Sequence, residues 1–156
     1  MVFYYTYKQK TKIFAQAISA IFDMPTYALQ TDLGSRSYWS FMFKALRLAF
    51  SGKSYPVSNM PETVPSEIFV CSPIWGGNLA APAKYLLENI DLQGTTVHLI
   101  LTASMPSEKY KKAALEYLQQ RTGCIPGEVH VFLTSDKFMP ELEVLTEQLR
   151  TVVGQA

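Results

Sequence analysis

The chain has 156 residues, 48% of them hydrophobic and 13% aromatic, with 14 Lys and Arg against 13 Asp and Glu. That length suits one domain, expected over residues 1–156, and the hydrophobic content excludes a disordered chain. A net charge of +1 excludes a strongly basic nucleic-acid binder and an acidic tail protein alike.

Five strands are predicted from apolar, β-branched or aromatic runs at residues 2–6, 26–29, 67–71, 97–102 and 128–133. Runs such as Ile68-Phe69-Val70-Cys71 and Leu99-Ile100-Leu101 are continuously apolar, as in strands covered on both faces. Between them, helices are predicted over 11–22, 37–50, 81–90, 108–121 and 140–153. Gly52 and Gly123 follow two of these helices as stops, and Pro140 suits a first-turn position. Alternation of strand and helix predicts parallel pairing through right-handed crossovers. The expected fold is α/β, a three-layer doubly wound sheet of five parallel strands, with 51–66 as its one long irregular connection.

Apolar stretches are too short to span a membrane. The segment opening Met1-Val2-Phe3-Tyr4-Tyr5 reads as a strand, not a signal peptide, so the expected location is cytoplasmic. Cys71 and Cys124, with His98 and His130, are too few for a zinc cage or a disulfide framework, and no metal site is expected. Cys71 and His98 are expected at opposite ends of neighbouring strands, about four residues or ~13 Å apart, too far for a Cys–His pair. Trp39, Phe41 and Phe43 are read as core packing with one exposed ring in preference to an aromatic patch for a partner.

Charge is uneven. Residues 1–55 carry seven basic residues (Lys8, Lys10, Lys12, Arg36, Lys44, Arg47 and Lys53) against Asp23 and Asp32. Without the interleaved aromatics of a base-stacking platform, this does not read as a nucleic-acid surface. In an open α/β sheet ligands bind beyond the carboxyl ends of the strands, which directs attention to three loops. The first, Thr6-Tyr7-Lys8-Gln9-Lys10-Thr11, leads into a helix N-terminus, where free N–H groups and the dipole favour an anion. Its lysines are either placed to meet that anion or bend into solvent. It has no glycine, which excludes a dinucleotide fingerprint and a Walker A loop. In the second loop Trp75 offers a flat face beside Gly76 and Gly77, or caps the core. The third begins Thr102-Ala103-Ser104.

The first loop, the Ser72-Pro73-Ile74-Trp75-Gly76-Gly77 segment, and Ile90-Asp91-Leu92-Gln93-Gly94 ahead of Val97-His98-Leu99-Ile100-Leu101-Thr102 resemble flavodoxin-family proteins of the short-chain kind, in the same order over nearly the whole chain. The resemblance implies strand order 2-1-3-4-5 and one non-covalent FMN. By it, Thr6, Tyr7, Lys8, Gln9, Lys10 and Thr11 hold the phosphate, and Pro73, Ile74, Trp75, Gly76 and Gly77 line the isoalloxazine. Thr102, Ala103 and Ser104 contribute from the other side. Two departures stand out. The family pattern Ser/Thr-x-Thr-Gly-x-Thr has Lys8 at its second hydroxyl position and Gln9 at its glycine, and the third loop lacks the tyrosine that many members stack on the flavin. A phosphoacceptor receiver of similar topology is excluded, because Cys71-Ser72 stand where it needs a carboxylate.

The expected function is FMN binding for electron transfer or small flavin-dependent reduction, with a redox partner protein or a small-molecule acceptor. No nucleic acid or membrane is expected as a partner, and the sequence fixes no oligomeric state. No catalytic side-chain constellation is evident, so an enzymatic role is left open. The alternative is a flavodoxin-fold binding or interaction protein that has lost FMN affinity through its altered phosphate loop.

Overall fold

A computed structural model describes residues 1–33, 37–105, 107–121, 123–134 and 140–153, the side chain of Arg121 excepted. Strand and helix alternate: β1 (Val2–Tyr4), α1 (Lys10–Phe22), β2 (Thr26–Ala28), α2 (Tyr38–Ser51), β3 (Glu67–Trp75), β4 (Asn78–Leu79), α3 (Ala81–Asn89), β5 (Thr96–Ala103), α4 (Glu108–Arg121), β6 (Ile125–Leu133) and α5 (Leu142–Val153). Five strands pair in parallel in the order β2-β1-β3-β5-β6, while β4 pairs antiparallel with the end of β3. With β4 set aside, this is the 2-1-3-4-5 order of a doubly wound flavodoxin-like sheet.

The alternation of side chains across β3 explains its unbroken apolar run. Ile68 and Val70 enter a core with Phe3, Leu99 and Leu101, covered by Leu86 and Leu87 of α3 and Ala114 and Leu118 of α4. Phe69 and Cys71 face the other way, with Val2 and Ile100, under Phe14 and Ile18 of α1 and Leu145 and Leu149 of α5. Both faces are therefore dry, as parallel pairing requires. The connection 51–66 is irregular, as expected, and the sheet edge holds it. Ser58 N–H donates to the Gln30 carbonyl (3.0 Å), and Asn59 Nδ2 donates to the Ala28 carbonyl (2.7 Å).

Helix α2 starts and stops on its sequence signals. The Ser37 hydroxyl accepts the Ser40 N–H at 3.2 Å, and Gly52 follows in the left-handed conformation at φ 67°. Helix α5 starts at Leu142, so Pro140 precedes the helix and does not occupy its first turn.

Three expectations change. Strand β3 runs to Trp75, not Cys71, because Ile74 and Trp75 find partners in Leu79 and Asn78. Of Trp39, Phe41 and Phe43 only Phe41 is buried; Trp39 and Phe43 are 71% and 72% exposed, so the core takes one ring and two stand in solvent. Finally, the register sets Phe69, not a more distant residue, opposite His98 and Cys71 opposite Ile100. Cys71 and His98 are thus offset by two residues along neighbouring strands, closer than expected. They still do not pair. His98 Nε2 lies 3.1 Å from Glu67 Oε1, and its Nδ1 accepts the Glu128 N–H at 3.1 Å, so both ring nitrogens are engaged.

Cys71 is fully buried, and burial pushes its thiol well above the usual range. Near neutral pH the native protein should leave Cys71 unmodified by a maleimide, with reaction following only when denaturant unfolds the chain. Modification of Cys71 at native conditions, read by peptide mass spectrometry, would contradict this packing.

Candidate functional site

The carboxyl ends of β1, β3 and β5 open on one cavity of about 330 Å³. Tyr5 N–H donates to the Cys71 carbonyl at 3.1 Å, so the chain stays paired with β3 one residue beyond β1 and then turns towards α1. Gln9 takes the N-cap position of α1 at φ 61°, in the left-handed region, and its side chain makes no capping hydrogen bond. A non-glycine residue there is strained by about 1–2 kcal/mol. The left-handed position ahead of α1, which a glycine would adopt without strain, is thus taken by Gln9. The first turn of α1 holds no acidic residue, so its dipole and first N–H groups meet no carboxylate of the helix itself.

Thr11, in that first turn, is buried, and its hydroxyl lies 3.0 Å from the hydroxyl of Thr102 near the end of β5. Each hydroxyl carries one proton, and one donates to the other. The second proton remains available to an acceptor in the cavity. Lys8 and Lys10 also line the cavity, and no carboxylate does so among the described residues. Lys8 Nζ lies 5.4 Å from the centre of the Tyr38 ring, which holds the cation at the rim.

The other wall is aromatic. Tyr7 stacks on Phe41 with centroids 3.6 Å apart and planes 5° apart. Trp75 is half-buried and meets the edges of Tyr5 (5.5 Å) and Phe41 (5.6 Å). These edge contacts fix the indole against the wall and leave part of it facing the cavity. Trp75 ends β3 at a two-residue hairpin whose centre is Gly76 (φ 55°) and Gly77 (φ 87°), the pattern of a turn with both central residues left-handed. A Cβ on Gly76 would lie 3.0 Å from the Ala49 Cβ, so α2 packs directly over the turn. Gly76 and Gly77 therefore form a turn that aims Trp75.

Of the residues singled out in the sequence, Tyr7, Lys8, Lys10, Thr11, Pro73, Ile74, Trp75, Thr102, Ala103 and Ser104 line this one cavity. Thr6, Gln9, Gly76 and Gly77 do not; Gln9 and the glycines shape its backbone instead. Pro106 of the third loop lies outside the described residues. Tyr38, Phe41, Met42 and Thr134 also line the cavity and were not singled out as site residues. The first three come from α2, whose helical period reads as packing. Thr134 follows β6, and its N–H donates to the Ala103 carbonyl at 2.8 Å, which brings a fourth strand end to the site.

The cavity thus joins two chemistries, a cationic end with hydroxyl and N–H donors and an aromatic flank. It fits a ligand that carries an anion at one end and a flat ring at the other. Among the described residues no carboxylate, histidine or thiol lines it, and no group of three His, Cys, Asp or Glu could hold a metal ion. No helix of the described residues is long and apolar enough to cross a membrane.

Replacing Gln9 by glycine removes the left-handed strain but adds backbone freedom to the unfolded chain. The balance should stabilise the protein by up to about 1 kcal/mol, read as a higher urea midpoint. A lower midpoint would show that the Gln9 side chain is itself needed.

No protein-family model matches the chain, and no curated protein matches it by sequence. Solved structures match it well. A proposed flavoprotein from Bacteroides uniformis superposes with a TM-score of 0.73 at 17% identity, over 96% of each chain. Another from Bacteroides eggerthii gives 0.66 at 16% identity over 97% of this chain and 96% of that one. A flavoprotein in complex with FMN from Lactobacillus acidophilus gives 0.61 at 20% identity over 83% of this chain and 90% of that one. With the strand order, the two-sided helical cover and these superpositions together, the chain has the flavodoxin-like fold.

Proposed function

We propose that the cavity at the carboxyl ends of β1, β3 and β5 binds FMN without a covalent bond, and that the protein serves electron transfer. The observation that carries this is the convergence on one cavity of Lys8, Lys10, the start of α1 and the Thr11–Thr102 hydroxyl pair with the Trp75 flank. The likeness to a flavoprotein crystallised with FMN supports the same reading.

When bound, FMN supplies reversible electron transfer through its ring system, and the protein binds and tunes it. Lys8 and Lys10 would neutralise the phosphate, and the first N–H groups of α1 would hold its oxygens. The shared proton of Thr11 and Thr102 leaves one hydroxyl donor for the ligand. Trp75, Ile74 and Pro73 give the ring an apolar flank and keep water from it, and an apolar flank disfavours negative charge on the ring. In this reading a redox partner protein or a small acceptor would take the electrons.

Loss of FMN affinity was the competing expectation, because Lys8 and Gln9 replace a hydroxyl residue and a glycine. The left-handed turn at Gln9 keeps the backbone path that the glycine would give, and Lys8 brings charge in place of a hydrogen bond. Both observations favour retention.

Titration of the flavin-free protein with FMN should give one-to-one binding with a shifted flavin absorbance and quenched tryptophan emission. In Lys8→Gln/Lys10→Gln, FMN should bind at least tenfold more weakly, about 1.4 kcal/mol, while riboflavin binding stays unchanged. Absence of FMN binding, or equal affinity of the unaltered protein for FMN and riboflavin, would refute the proposal.

A further inference from the structure

Helix α2 has two apolar faces, and the protein covers only one of them. Phe41, Ala45 and Ala49 are buried. Trp39, Met42, Phe43, Leu46 and Phe50 all stand in solvent, the three rings 71%, 72% and 79% exposed. At ~100° per residue these five fall within one sector about 100° wide that contains no polar side chain. The adjoining sector holds Ser40, Lys44, Arg47 and Ser51, with Lys44 and Arg47 exposed, and Lys53 is exposed just past the helix. No Asp or Glu occurs between Asp32 and Glu62. The three rings alone present on the order of 300–550 Å² of apolar surface, which reaches the largest patches ordinary monomers leave uncovered.

We infer that α2 is a membrane-surface element that sets Trp39, Phe43 and Phe50 into the headgroup boundary of an anionic bilayer, while Lys44, Arg47 and Lys53 reach lipid phosphates. Charge and area select this occupant. A second copy would bring the same cations against themselves with no carboxylate between them, and the three rings present less than the roughly 800 Å² per partner of a stable dimer. A protein partner would meet about one hydrogen bond per 100–200 Å² of interface, and the apolar sector has only the Trp39 indole N–H to give. A fluid bilayer needs neither shape matching nor hydrogen bonds. It accepts protruding rings on one flank of a helix and cations on the next, and its phosphates attract juxtaposed lysine and arginine.

The stripe also adjoins the functional cavity. Met42 belongs to both, and a hollow of about 210 Å³ between Leu46 and Trp75 joins them. Met105, one residue beyond the cavity-lining Ser104, is exposed as well. Docking of α2 would therefore bring the cavity mouth beside the bilayer. The inference departs from the sequence-based expectation that no membrane is engaged, which rested on the lack of a spanning segment. It does not depend on which cofactor the cavity holds.

Sedimentation of the protein with vesicles tests it. Vesicles containing a quarter phosphatidylglycerol in phosphatidylcholine should bind at least tenfold more strongly than phosphatidylcholine alone. Trp39→Ser/Phe43→Ser/Phe50→Ser, with its fold checked by circular dichroism, should lose binding tenfold or more. Lys44→Gln/Arg47→Gln/Lys53→Gln should lose the preference for anionic vesicles. No binding to anionic vesicles, equal binding to both kinds, or undiminished binding of the serine variant would overturn the inference. So would self-association, measured by sedimentation velocity, that the serine variant abolishes while no vesicle binding is seen.

Discussion

The contact between the hydroxyls of Thr11 and Thr102 joins the first turn of α1 to the end of β5, 91 positions along the chain. Both residues are buried, so each hydroxyl must find a partner or leave a polar group unsatisfied in a dry place, at about 1–3 kcal/mol. Each is the other's partner. The bond is possible only because β1, β3 and β5 pair in parallel with matched ends, and because the turn at Gln9 delivers α1 over those ends. Everything proposed for the cavity depends on that meeting. It sets the helix N-terminus, the two lysines and the strand ends around one volume.

Helix α2 has a second, less obvious influence. Its buried side puts Phe41 against Tyr7 and Trp75 and sets Ala49 over Gly76. The hairpin and the helix therefore fix the indole jointly: the turn gives its direction, and the helix supplies the wall it leans on. The same helix leaves its other apolar flank in solvent beside the cavity mouth. One element thus shapes the site and offers a surface next to it.

Much of the fold was legible in the sequence because its cores are two-sided. The Ile68–Cys71 and Leu99–Leu101 runs are apolar at every position, which only a strand covered by helices on both faces requires. Helix ends followed from Gly52 and Gly123, where capping chemistry is local. Most of the misses depend on pairing or packing and not on local hydrophobic pattern. The extension of β3 to Trp75 comes from pairing with Leu79, and the Cys71–His98 offset comes from strand register, which periodicity does not report. Trp39 and Phe43 have the spacing of packing residues, but α2 sits at the sheet's end, where no second layer reaches them. Pro140 would suit a helix start, yet α5 begins only at Leu142.

The site was legible in part. Lys10, Thr11, Trp75 and Thr102 stood out because they follow strands, and the fold brings residues after strands to one edge. Tyr38, Phe41 and Met42 were hidden, since they belong to a helix and arrive by tertiary packing. Gln9 shows the opposite case, a residue that breaks the local pattern while the backbone keeps it.

The most direct test is a nitrogen–proton correlation spectrum recorded as FMN is added to the isotopically labelled protein. The account predicts that the largest shifts fall on the amides of Lys10, Thr11, Ala103 and Ser104 and on the Trp75 indole, with the Trp39 indole little moved. Shifts confined to other regions, or a spectrum unchanged at excess FMN, would contradict it.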